Sequence, residues 1–108
     1  MKQNEIFTRN NLIVDELKKH RGKENAISSE YISRLCAENG YLIRPRNVGT
    51  VVNKLMMERS LPICYINGNG YYWANKSSEI EDTIKDLQSR IYALQEHINH
   101  LKCFVMEG

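Results

Sequence analysis

Long apolar segments and paired cysteines are scarce in this 108-residue chain. No apolar run approaches the roughly 18 residues of a membrane-spanning helix, and the first residues lack the apolar core of a signal peptide, so we expect no membrane association. The three cysteines, Cys36, Cys64 and Cys103, are odd in number and far apart, which argues against a disulfide framework or a zinc ribbon. We therefore expect a cytoplasmic protein.

Residue patterns typical of enzymes are also scarce. The chain has no phosphate-binding loop of the Gly-x-x-x-x-Gly-Lys type, and no nucleophile stands out with a matched base. His97, His100 and Cys103 follow one another at intervals of three, but on a helix they spread too widely to hold one metal ion. We expect no enzymatic activity, no cofactor and no metal site.

Charge is unevenly divided along the chain. Residues 1–78 contain 12 Lys or Arg and 7 Asp or Glu, whereas residues 79–108 contain 3 and 6. The first part is therefore basic and the second part acidic. This division indicates a body that meets a polyanion and a tail that meets protein.

The C-terminal third has a heptad pattern. Apolar residues alternate at intervals of four and three, at Ile80, Ile84, Leu87, Ile91, Leu94, Ile98, Leu101 and Val105. Ile and Val occupy the a positions and mostly Leu the d positions, which favours a parallel two-stranded coiled coil. The flanking e and g residues pair weakly and leave an antiparallel pair open. We predict a dimerisation helix over residues 79–105, started by a capping box of Ser78 and Glu81. The alternative is a terminal helix folded back onto the body.

Caps and apolar spacing predict three helices upstream, at about residues 3–20, 28–39 and 45–59. The first is expected to bury Ile6, Ile13, Val14 and Leu17. The third, opened by Pro45, is expected to bury Val48, Val52 and Leu55. Two β-branched or aromatic segments, 63–66 and 71–74, flank Asn67-Gly68-Asn69-Gly70, a sequence typical of a hairpin turn.

Three helices followed by a hairpin is the order of a winged helix-turn-helix domain. We predict a mostly helical α+β protein with that domain over residues 1–76. The second and third helices would form the helix-turn-helix, and the hairpin would be the wing. Residues 77–108 would form the coiled-coil helix.

Several short segments carry a family resemblance. These are Gly-Lys-Glu-Asn-Ala-Ile at 22–27, Leu-Pro-Ile-Cys at 61–64 and Gly-Tyr-Tyr-Trp-Ala at 70–74, together with the start of the tail helix. They resemble small winged-helix proteins encoded by phages and prophages of Gram-positive bacteria, over most of residues 10–95. The resemblance implies a winged-helix fold and a role in DNA binding, in phage gene control or replication. This chain departs from the family pattern at Leu55-Met56, where Leu-Arg is expected, and at Ser60, where glycine is expected.

The outward face of the predicted third helix carries the candidate DNA contacts, together with the hairpin turn. These residues are Arg44, Arg46, Asn47, Thr50, Asn53, Lys54, Asn67 and Asn69. Arg46 suits a guanine edge, Asn47 or Asn53 an adenine edge, and Thr50 a thymine methyl group. Arg44, at the helix entrance, suits a phosphate. The sequence thus predicts a dimeric protein that binds duplex DNA, as a transcriptional regulator or a replication factor.

Two other functions stay open. The modest positive charge of the body, the uncharged hairpin turn and the pair Met56-Met57 favour a protein-interaction module, such as a phage inhibitor of a host defence complex. Aromatic residues of the hairpin could also stack on the bases of a single strand, although strand alternation favours their packing on the core. These are Tyr65, Tyr71, Tyr72 and Trp73.

Overall fold

The computed structural model describes residues 2–66 and 70–107. Within these ranges the chain forms four α-helices and a two-stranded antiparallel hairpin, with one short 3-10 turn at Lys23–Asn25. The mostly helical composition, the hairpin and the long C-terminal helix expected from the sequence are confirmed. In chain order the elements are α1 (Gln3–Lys19), α2 (Ser29–Glu38), α3 (Pro45–Arg59), β1 (Ile63–Ile66), β2 (Gly70–Trp73) and α4 (Ser77–Glu107).

Local signals in the sequence account for the bounds of α2 and α3. The hydroxyl of Ser28 accepts a hydrogen bond of 3.0 Å from the backbone N–H of Tyr31 and so caps α2. Gly40 follows α2 with φ of +86°, a conformation that favours glycine. Pro45 occupies the first turn of α3, where its missing N–H costs nothing.

Ser60 ends α3. Ser60 adopts the left-handed conformation, with φ of +55°, and its backbone N–H donates to the carbonyl of Met56. Leu61 donates to the same carbonyl over 3.0 Å. Glycine tolerates this conformation without strain, whereas a serine here holds a strained backbone.

The core lies between the three short helices and one face of the hairpin. The buried apolar residues are Ile13, Val14, Leu17, Ile27, Ile32, Cys36, Val48, Val52, Leu55, Ile63, Cys64 and Tyr72. The expected burial of the third helix is therefore confirmed. The expectation for Ile6 is wrong: its side chain is 37% exposed, because the described residues 2–8 of α1 extend beyond the core and all are exposed.

The loop between α1 and α2 covers the outer edge of β2, which the sequence did not indicate. Ile27 and Tyr71 exchange two backbone hydrogen bonds of 2.8 Å. Gly22 donates to the carbonyl of Trp73, and Trp73 donates to that of His20, both over 2.9 Å. Since β1 pairs with the other edge, both edges of β2 have backbone partners.

The core predicts a clear contrast within α3. Leu55→Ala should lower the free energy of unfolding by about 2–5 kcal/mol, because it leaves a cavity in the core. Urea unfolding at a fixed protein concentration measures the loss. Met57→Ala is the matched control: Met57 is 76% exposed on the same helix, so its truncation should change stability by less than about 0.5 kcal/mol. Equal losses in the two variants would contradict this packing.

Candidate nucleic-acid interface

The outward face of α3 presents a polar surface. Val48, Val52 and Leu55 are buried against the core, and this fixes the rotation of the helix. The opposite side exposes Arg46, Asn47, Thr50, Asn53, Lys54 and Met57. The structure therefore brings the six helix-borne polar candidates, Arg44 included, onto one exposed helix and its entrance. The remaining two candidates, Asn67 and Asn69, lie outside the described residues.

Residues before α3 set its direction relative to α2. The hydroxyl of Ser33 in α2 donates a 2.6 Å hydrogen bond to the carbonyl of Ile43, which ties the connecting segment to α2. The carbonyl of Arg44 accepts from the N–H of Asn47 and starts the helix. The side chain of Arg44 is exposed beside this start. The first turn of α3 and the guanidinium of Arg44 thus share one end of the surface.

The cations of α3 differ in how far they are already engaged. Arg59 donates to the side-chain oxygen of Asn11 over 2.7 Å and lies 5.5 Å from the ring centre of Phe7, so it holds α1 to α3. Lys54 forms an exposed ion pair of 3.9 Å with Glu58, which is weak in water. Within the described part of the chain Arg46 makes no ion pair or side-chain hydrogen bond. Its guanidinium is therefore the α3 charge best placed to meet a ligand.

A groove borders the α3 surface on its hairpin side. It has a volume of about 590 Å³ and separates α3 from the hairpin and α4. We call it the hairpin groove. Its apolar floor includes Met56, Met57 and Leu87, and Arg90 lies at its edge. The other lining residues are Ser29, Glu30, Asn53, Tyr65, Ile66, Gly70 and Tyr71.

A second groove borders the surface on the side of α1. It has a volume of about 640 Å³ and is lined by basic, amide and apolar residues. Its lining residues are Arg9, Arg44 and Asn47, with the apolar Leu42, Ile43, Pro45 and Val51. The grooves thus flank α3 on both sides.

The aromatic residues of the hairpin pack rather than project. Tyr72 is buried, and burial raises its pKa. Tyr71 reaches α3, where a Cβ added at Gly49 would lie 2.9 Å from its hydroxyl oxygen. Tyr65 is half-buried beneath Arg90, whose guanidinium lies 5.1 Å from the ring centre. Trp73 is half-buried, with the ammonium of Lys18 5.9 Å away. These contacts favour packing over a stacking platform.

The long helix α4 contacts the body through a polar face. Over its first half, the side chains that lose exposure are Glu79, Thr83, Asp86 and Arg90, which recur at intervals of four, three and four. The apolar a and d stripe lies on a neighbouring face and stays open: Ile80 is 38% exposed, Leu87 41%, Ile91 66% and Val105 80%. The first half of α4 therefore lies against the hairpin mainly by this polar face, and Leu87 of the stripe lines the hairpin groove.

The start of α4 is fixed by the buried carboxylate of Glu79. It accepts backbone hydrogen bonds from Asn75 at 2.7 Å, Lys76 at 3.2 Å and Lys23 at 2.7 Å. The expected capping box of Ser78 and Glu81 is not what starts the helix, because α4 begins at Ser77 and Glu79 supplies the acceptor. The hydrogen bond from Asn75, with those from Lys23 and Lys76, lowers the pKa of Glu79 against the effect of burial.

Within the part of the chain that the structure covers, no three His, Cys, Asp or Glu side chains lie close enough to hold a metal ion. Cys36, Cys64 and Cys103 are free thiols, and burial raises the pKa of Cys36. In residues 2–66 and 70–107, no helix combines the length and apolar character needed to cross a membrane.

Three sequence comparisons bear on identity. The chain matches no known family, no curated protein and no solved structure. The surface of α3, its two grooves and the exposed stripe of α4 are therefore the observations from which a function is inferred.

The Glu79 anchor predicts a pH-dependent contribution to stability. Because folding lowers this pKa from its ordinary value of 4.5, ionised Glu79 stabilises the fold above that value and the contribution is lost as pH falls through the lowered pKa. Glu79→Gln should therefore lower the urea midpoint at pH 7, and the difference from the unmodified chain should shrink on acidification below pH 4.5. Glu96→Gln, at an exposed site on the same helix, is the control and should leave the midpoint unchanged. A Glu79→Gln deficit that stays constant from pH 7 to pH 3 would contradict this role.

Proposed function

We propose that this chain is a winged helix-turn-helix protein that binds duplex DNA as a dimer. Support for the fold comes from the order of the elements: α2 and α3 are joined by a short segment, and a hairpin follows α3 directly. The loop segment paired with the outer edge of β2 supplies a third extended segment beside the hairpin. Such a domain places its second motif helix, here α3, in the major groove.

The observation that carries the proposal is the exposed polar face of α3. Its residue types suit the edges of bases: Arg46 for guanine, Asn47 or Asn53 for adenine, and Thr50 for a thymine methyl group. Arg44 and Lys54 are exposed towards the two ends of the same helix, where phosphates of the flanking backbone would pass. The basic balance of residues 1–78 agrees with a polyanionic partner.

The dimer would form through α4. Its apolar stripe of Ile80, Ile84, Leu87, Ile91, Leu94, Ile98 and Leu101 is exposed, and Leu87 also lines the hairpin groove. Heptads of this kind are buried by pairing with a second helix. A dimer would carry two copies of α3 and so read two half-sites. We place this activity in the cytoplasm, in the gene control or replication of a phage or prophage.

A second candidate function rests on the hairpin groove. Met56, Met57 and Leu87 make its floor apolar, and methionine side chains adapt to varied protein surfaces. A volume of about 590 Å³ fits a few side chains of a partner protein. This groove favours a protein-interaction module, such as an inhibitor of a host complex, as the alternative to a DNA-binding protein.

Substitutions on α3 separate the two functions. Arg46→Ala and Lys54→Ala should each weaken binding to a duplex, because each removes a cation from the α3 surface. Lys54→Ala, which removes an expected phosphate contact, should also reduce the slope of log affinity against log salt concentration by about 0.9. Fluorescence anisotropy of a labelled duplex between 50 and 200 mM salt measures both effects.

Lys85→Ala is the matched control, since Lys85 is an exposed cation on α4. It should leave duplex affinity unchanged within about twofold. Unchanged affinity in the Arg46→Ala and Lys54→Ala variants would overturn the DNA proposal and favour the hairpin groove as the functional surface.

A further inference from the structure

The distal half of α4 is exposed throughout its described part. Every described side chain from residue 91 to residue 105 is exposed, whereas the first half of the helix is held by Glu79 and the hairpin. A helical segment of this length is marginal in water unless it packs against a partner. The exposed apolar residues of this half are Ile91, Leu94, Ile98, Leu101 and Val105.

We propose that α4 pairs with α4 of a second copy in antiparallel orientation, each distal half lying along the anchored half of the other. The proposal rests on the dimer proposed above and adds its geometry. A second copy fits because the intervals of the stripe, four and three in alternation, are the same in both directions. All eight residues then meet in four pairs, each formed twice: Ile80 with Val105, Ile84 with Leu101, Leu87 with Ile98, and Ile91 with Leu94.

The β-branched residues at the a positions favour a parallel pair, but the anchored half of α4 favours the antiparallel one. In a parallel pair, residues 91–105 of the two copies would contact only each other and would extend beyond both bodies. In the antiparallel pair, each distal half packs beside a helix segment that the Glu79 carboxylate and the hairpin already hold in place. The packing partner is then ordered before pairing, which lowers the entropy lost on association.

The flanking charges favour the same orientation. In the antiparallel register the e positions of the two helices face each other, so Glu81 of each copy meets Lys102 of the other. In a parallel pair, Lys102 of one copy would instead face His97 of the other. The g residue facing Glu81 would be Lys76, which precedes the first turn of α4. On the opposite edge of the antiparallel pair, Arg90 of one copy would face His97 of the other. The guanidinium of Arg90 is already paired with the carboxylate of Asp86 in its own chain, at 3.1 Å. Pairs at e and g set the orientation of coiled coils.

The antiparallel pair also has a consequence for α3. Each body contacts its own helix on the side of the g residues Thr83 and Arg90, and the g residues of an antiparallel pair lie on one side. Both bodies would therefore lie on the same face of the helix pair. Their contacts, centred near residue 84, would be displaced by about 24 Å along the pair. That displacement is about 10 Å shorter than the ~34 Å between half-sites one helical turn apart.

Disulfide formation between engineered cysteines tests the orientation. All variants carry Cys103→Ser, which removes an exposed thiol, while Cys36 and Cys64 are buried. Leu101→Cys alone should give no covalent dimer on mild oxidation, because its two thiols would lie about 25 Å apart along the pair. Ile84→Cys with Leu101→Cys should give a covalent dimer in which peptide mapping joins position 84 to position 101. A covalent dimer of the single variant, or no covalent dimer of the double variant, would overturn the proposal.

Charge reversal gives a second test that adds no cysteine. Glu81→Lys should raise the dimer dissociation constant about tenfold, since two attractive pairs become repulsive. Adding Lys102→Glu should restore it to within about twofold, and Lys85→Glu, outside the interface, should change it by less than that. A double variant as weak as Glu81→Lys would overturn the antiparallel register.

The Cys103→Ser chain is the parent of the engineered-cysteine variants. Its mass in solution, measured by sedimentation, separates the orientation from the dimer on which it rests. A parent that sediments as a monomer at all accessible concentrations overturns both the dimer and its orientation. A dimer with the wrong disulfide pattern overturns only the orientation. Duplex binding by the same parent, followed by anisotropy, tests the DNA proposal independently of both.

Discussion

Three backbone N–H groups donate to the carboxylate of Glu79, and this small set of hydrogen bonds fixes how α4 leaves the body. Lys23 belongs to the loop between α1 and α2, whereas Asn75 and Lys76 follow the hairpin. The contact therefore sets the rotation of α4 as well as its position. It turns the side chains of Thr83 and Arg90 towards the hairpin and leaves most of the apolar stripe exposed. The open stripe, and with it the dimer we propose, depends on this rotation.

Packing of the core orients α3 and so determines which of its side chains are exposed. Burial of Val48, Val52 and Leu55 leaves a polar face for a duplex and places Met57 beside the hairpin groove. The two candidate functions thus use adjacent parts of one helix. Arg46 favours DNA, because within the described residues it has no ion-pair partner, whereas the groove favours an apolar side chain of a protein. A duplex would occupy the whole face, while a peptide would occupy only its edge.

Local patterns predicted much of this structure. Apolar spacing, caps and the Asn-Gly turn placed the helices and the hairpin within a few residues of their observed bounds, because these signals act over short stretches of chain. The same patterns predicted the exposed face of α3. These local patterns did not predict contacts between residues that are far apart in the sequence. The sequence predicted a capping box of Ser78 and Glu81, yet the decisive hydrogen bond at the start of α4 joins Lys23 to Glu79, 56 residues away. The pairing of Ile27 with β2 and the exposure of Ile6 likewise depend on how elements pack.

The central claim is that the α3 face binds duplex DNA. The most direct test is anisotropy of a labelled random-sequence duplex titrated with the unmodified protein at 50 and 200 mM salt. Release of counterions from phosphates gives a log–log slope of roughly −0.9 for each contact, so we predict measurable binding at 50 mM salt that weakens steeply at 200 mM. Absence of binding at 50 mM salt would contradict the claim, since non-specific affinity accompanies specific recognition, and the hairpin groove would then be the surface to follow.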